Sequence, residues 1–168
     1  MTITTKLDIQ PLNREAFAPF GDVIEADPAR MRLINNGTTE RYHALAEPVV
    51  LGQPERLIFN IFRGQPRHFP YRIDMMERHP FGSQSFMPLS GQAFLVAVSQ
   101  DEDGHPGKPT VFLAQAHQGV NYFANTWHHP LMALEAVSDF LVVDRDNTAA
   151  NLEEFVFEQP YYIEEPHP

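Results

Sequence analysis

Apolar residues along this chain fall in short runs rather than at helical spacing. Residues 57–63, 92–98, 110–114 and 139–143 are rich in β-branched and aromatic side chains and are bounded by turn formers, which predicts strands. Fifteen Pro and nine Gly punctuate the sequence between them. The polar stretch 101–109 reads as a loop joining two strands. Helical signals are few. Asn13 is placed to cap a turn over 14–17, stopped by Pro19 and Gly21, and a second helical turn is expected over 151–155. No internal repeat, low-complexity tract or second-domain boundary interrupts the pattern. The expected fold is all-β, a barrel or sandwich of antiparallel strands with a few short helices, forming one domain over 1–168.

Composition narrows the partners. At 168 residues the chain is long enough for one sizeable core. Its 22 acidic against 12 basic residues argue against nucleic acid or an anionic membrane as partner. Only Lys6 and Lys108 are lysines and the remaining basic residues are Arg, the better fork for a carboxylate, so a small anionic ligand stays open. The absence of Cys excludes disulfides, thiolate metal sites and a Cys nucleophile. No basic and then apolar leader opens the sequence, and no apolar run approaches the ~20 residues of a membrane helix, so a soluble, cytoplasmic protein is expected.

Two segments carry candidate chemistry. Glu77 and His79 lie two apart, on one face of an extended strand, and Gln84 follows after a Pro80 to Gly82 turn. The second segment holds His128 and His129 between Trp127 and Pro130, whose bulk and stiffness fix their orientation. Carboxylate, imidazole and amide donors without thiolate suit a first-row divalent ion, and Ni, Mn, Fe, Co and Zn all remain open. The bland alternatives are a polar His-His-Pro turn and an exposed Glu-Arg-His strand end with an ion pair of little worth. Arg78 alternates to the face opposite Glu77 and His79 and is expected to be structural. Asn35, Asn36 and Gly37 are expected to form a tight turn.

The spacing resembles the cupin family, whose first signature sets a His or Glu two before a second His, then a carboxylate five later and a Gly seven after that. Glu77, His79, Gln84 and Gly91 fall in that register, and His128 is the nearest match to the His of the second signature. Gln84 stands where the family has a carboxylate, and the Pro-x-Gly of the second signature is absent. Over most of its length the chain is further similar to the ureidoglycolate lyase family, historically called ureidoglycolate hydrolase. The matching blocks are 18–24, 34–43, 77–86, 118–122, 127–130 and 139–145.

That resemblance implies a homodimeric cupin-like barrel with a divalent metal, usually nickel, which cleaves ureidoglycolate to glyoxylate and urea in allantoin breakdown. It implies a metal held by Glu77, His79, Gln84 and His128, with either His128 or His129 facing it. Arg63, Arg41 and Arg145, each in or beside a matched block, are candidates for the substrate carboxylate. His129 or His43 would donate a proton to the leaving urea nitrogen. The competing readings are an amidohydrolase releasing ammonia and carbon dioxide, a cupin isomerase or oxygenase acting on a small hydroxy or keto acid, and a non-catalytic small-molecule-binding cupin.

Overall fold

The long apolar run after Gln92 forms the strand Phe94–Ser99, and every residue of it is buried. The structure, a computed structural model, describes residues 5–53, 55–146 and 151–167. Successive side chains of a strand point to opposite faces. Phe94, Val96 and Val98 therefore join one core with Phe86, Phe112, Val120, Phe140 and Val142. Leu95 and Ala97 join a second with Ile73, Met76, Val111, Trp127 and Ile163. A strand covered on both faces has no solvent side, so it reads as an unbroken apolar run.

Two sheets make these cores. The larger runs Lys6–Leu7, Glu153–Ile163, Tyr71–Arg78, Trp127–His128, Phe94–Ser99, Thr110–Ala114 and Ile9–Pro11, with Met132–Ala133 pairing beside Phe94–Ser99. Its first and last strands are separated in the chain by Asp8 alone, so one N-terminal segment borders both edges and the sheet curls into a nearly closed barrel. The smaller sheet runs Gly21–Ile24, Gly119–Tyr122, Gln84–Pro88, Ser138–Arg145 and Leu57–Gly64. It packs over the face that carries Phe94, Val96 and Val98.

Three features differ from the sequence reading. Lys6–Leu7 and Ile9–Pro11 pair in parallel with their neighbours, not antiparallel, because no hairpin links these distant segments and fixes their direction. No helical turn forms over 151–155; Glu153–Ile163 is a strand paired with Tyr71–Arg78. There Phe155 and Phe157 face inward at a period of two, until a register break between Val156 and Tyr161 resets the pattern around Pro160. The polar stretch after Gln100 carries its own hairpin, Asp101–Glu102 with His105–Pro106, turned by Asp103 and Gly104 at positive φ.

Other expectations match. Asn13 Oδ1 accepts from the Ala16 amide and caps the helix Arg14–Phe17. Asn35, Asn36 and Gly37 all take positive φ at the tip of the hairpin Met31–Ile34 with Thr39–Tyr42.

Candidate metal centre

Strand pairing assembles the cluster. His128 lies directly opposite Glu77 across the Tyr71–Arg78 and Trp127–His128 pair, so their side chains are near neighbours. His79 follows one residue after that strand ends, before Pro80 turns the chain. Gln84 opens the next strand, opposite Tyr122 on one side and Asp144 on the other. The site therefore sits where the two sheets meet.

The candidate ligand atoms of Glu77, His79 and His128 all lie within 4.8 Å of one another. Glu77 Oε1 is 3.5 Å from His128 Nε2 and 3.9 Å from His79 Nε2. Each imidazole is held from behind. His79 Nδ1–H donates to the Asn151 carbonyl at 2.8 Å, and His128 Nδ1–H donates to the Thr126 carbonyl at 2.9 Å. A carbonyl can only accept, so each Nδ1 carries the hydrogen, and in the neutral ring each Nε2 then presents a lone pair. Both Nε2 atoms are buried without a hydrogen-bond partner among the described residues. Two lone pairs and a carboxylate facing one another repel unless a cation lies among them. These donors fit a divalent first-row ion, and backbone acceptors behind ligating histidines are the usual support for one.

The electrostatics agree. Burial alone would raise the Glu77 carboxyl, but its contact with His128, followed by His79 and His129, outweighs this and holds Glu77 below the ordinary range, so it stays an anionic donor. Burial, then the neighbouring His128, lowers His79 and keeps it neutral. The Tyr122 ring stacks on His128 with centroids 4.3 Å apart and planes 12° apart. Burial holds its phenol far above the usual range, so Tyr122 is a neutral wall.

A cavity of about 480 Å³ opens beside the cluster, lined among others by Phe62, Arg63, Arg67, Glu77, Gln84 and His128. A larger one, about 600 Å³, runs beside the C-terminal segment and shares Arg67 but none of the three cluster residues. Gln84 is 6% exposed, its Nε2 donates to Asp144 Oδ2 at 3.0 Å, and its Oε1 is buried without a partner among the described residues.

Several sequence candidates lie elsewhere or are differently engaged. His129 turns away from the cluster: its Nδ1–H donates to the Pro130 carbonyl at 2.7 Å, and its Nε2 lies 3.4 Å from the Tyr71 hydroxyl. Burial lowers its pKa to about 4, so at neutral pH the ring is neutral and its one N–H is engaged by the Pro130 carbonyl. His43 lines a separate surface cavity with Arg30 and Arg32, and the charge of Arg32 and then desolvation lower its pKa. Arg41 is exposed on the hairpin, opposite Arg32. Arg145 is buried and donates to the Leu51 and Gln53 carbonyls, so it clamps a loop. Of the three expected arginines only Arg63 lines the cavity, gripping Asp139 through Nε at 2.7 Å and Nη2 at 2.9 Å. Arg78 pairs with Asp101 and Glu153 and lies over Trp127, away from the site as expected.

Sequence reasoning passed over Arg67, Tyr122, Asp144 and Asn151. Arg67 lies between two strands, donates to the Leu131 carbonyl and sits over the Tyr71 ring; no local pattern distinguishes it. Asp144 carries no local signal either, since it sits beside Arg145 at the polar end of the strand Ser138–Arg145.

Residues 4–164 match the family model described as Ureidoglycolate lyase. A Rhizobium etli protein named ureidoglycolate lyase is 69% identical over 162 residues, covering 96% of this chain and 98% of its own. A protein of the same name from Agrobacterium fabrum is 62% identical over 164 residues, covering 98% and 99%. Among solved structures, RmlC from Streptococcus suis in complex with dTDP-D-xylose aligns at a TM-score of 0.46 with 13% identity, covering 77% of this chain and 64% of that one.

Proposed function

The chain belongs to the ureidoglycolate lyase family, and from that premise we propose that it cleaves ureidoglycolate to glyoxylate and urea. The substrate carries a hydroxyl, a carboxylate and a ureido nitrogen on one carbon. Elimination removes the hydroxyl proton, forms the aldehyde carbonyl of glyoxylate and breaks the bond to the ureido nitrogen, which gains a proton as urea leaves. The reaction is proton-neutral, so a neutral His129 is compatible with it.

Glu77, His79 and His128 would hold the divalent cation, with Gln84 Oε1 as a fourth donor. Such a cation acts as a Lewis acid that lowers the pKa of the substrate hydroxyl. Arg63 is the substrate-carboxylate residue of this reading. Asp139 engages its Nε and Nη2, which fixes the guanidinium at the rim of the site. Phe62, Phe86 and Leu131 line the same cavity and would limit water beside the reacting carbon. The observation that carries the reading is the pair of buried Nε2 atoms beside Glu77 Oε1, neither with a hydrogen-bond partner among the described residues.

Nickel is the first ion to test, and allantoin breakdown in the cytoplasm is the setting the resemblance implies. We treat residues 1–168 as one domain and the protein as a homodimer. Supporting the dimer, the outermost strand of the smaller sheet turns Phe59 and Ile61 outward, 74% and 58% exposed, an apolar edge that a second copy would cover. Product analysis tests the activity. Glyoxylate and urea in equal amounts, lost on chelation and restored by nickel or manganese, are expected; ammonia with carbon dioxide would make the enzyme an amidohydrolase instead.

A further inference from the structure

We propose that Asp144 is a positioning residue of the metal centre: it holds the Gln84 amide so that Oε1, and not the NH₂ group, faces the cluster. The proposal rests on the reading of Glu77, His79 and His128 as a metal site.

The two ends of a side-chain amide have nearly the same shape, so hydrogen-bond partners decide which end faces where. Asp144 lies directly opposite Gln84 on the adjacent strand, on the same face of the sheet. Its carboxylate accepts at both oxygens, from Asn60 Nδ2 at Oδ1 and from Gln84 Nε2 at Oδ2, each at 3.0 Å. A carboxylate offers only acceptors, so Gln84 must turn its NH₂ toward Asp144. Oε1 is left buried without a partner among the described residues, and Gln84 lines the cavity with Glu77 and His128. The reverse orientation would set Oε1 against Asp144 Oδ2 and present N–H groups, which have no lone pair to give a metal.

The same geometry explains why an amide stands where the cupin pattern has a carboxylate. A glutamate at this position would set two carboxylates about as close as the present 3.0 Å contact, and one of them would have to keep a proton. Gln84 backed by Asp144 supplies a donor oxygen without that conflict.

Titration calorimetry with nickel or manganese ions alone on the full-length protein tests the proposal. Asp144→Asn permits the Gln84 amide to flip, because an asparagine can offer its NH₂ to Oε1. It should weaken metal binding by about 10- to 100-fold, the range typical of groups that orient metal ligands. Gln84→Glu alone should bind no tighter than wild type. Combined with Asp144→Asn, it should recover most of the lost affinity. The asparagine amide can then donate to one oxygen of the introduced carboxylate and leave the other to the metal. A purely structural Asp144 would not give that recovery. Wild-type affinity in Asp144→Asn, or no recovery in the double variant, would overturn the proposal. If wild type binds neither ion, the metal reading fails instead. The orientation is then read by NMR on metal-free protein, as coupling through the hydrogen bond between the Gln84 amide nitrogen and the Asp144 carboxylate carbon. Its presence is expected, and its absence would overturn the proposal.

Discussion

His128 and His129 are adjacent and both buried, yet they occupy unlike regions. The His128 ring stacks on Tyr122 between the sheets and directs a bare Nε2 at Glu77. The His129 ring turns the other way, with a carbonyl at one nitrogen and the Tyr71 hydroxyl near the other. Both are shielded from water, but only the first is left with a lone pair that none of the described residues satisfies. Burial of an imidazole is therefore not what marks a site here. The mark is an acceptor oriented by the backbone and pointed at other acceptors.

The sharpest way to break this contrast is to remove the anion that both bare nitrogens face. Glu77→Gln should abolish stoichiometric metal binding and turnover together while the fold persists, read by calorimetry and circular dichroism. The His129 side is tested by pH. Its pKa is about 4 when folded and near the ordinary 6.5 when unfolded, so between these values the unfolded chain binds more protons. Stability should fall as pH drops from 6.5 toward 4 and level off below, with about 3 kcal/mol attributable to this residue. Denaturant titrations of metal-free wild type and His129→Gln should differ by that pH-dependent part.

Smaller effects separate the arginines and the aromatic wall. Arg63→Met should raise KM for ureidoglycolate by an amount equivalent to about 2 kcal/mol, the worth of a hydrogen bond to a charged group, and leave metal affinity unchanged. Arg145→Met should instead lower the melting temperature, because its contacts are to loop carbonyls. Tyr122→Leu should weaken metal binding by about 1 kcal/mol through loss of the ring stacked on His128.

Much of the architecture was legible because strand periodicity is local. The runs around Phe94–Ser99, Thr110–Ala114 and Ser138–Arg145 announced themselves through β-branched and aromatic content. The C-terminal strand did not, because the register break at Glu158 to Pro160 interrupts its alternation. Glu77 and His79 could be paired from spacing alone, since period two puts both on one face. The choice between His128 and His129 could not, because it depends on which strand lies opposite, a contact made by residues some fifty positions away. Asp144 and Arg67 were missed for the same reason: each matters through a neighbour that tertiary structure supplies.

The most direct test of the central claim is metal content and turnover of His128→Ala and His129→Ala measured side by side after loading with nickel. The account expects one tightly held ion per chain and formation of glyoxylate and urea in the His129 variant, with neither in the His128 variant. An ion and full turnover retained without His128, or both lost only without His129, would contradict it.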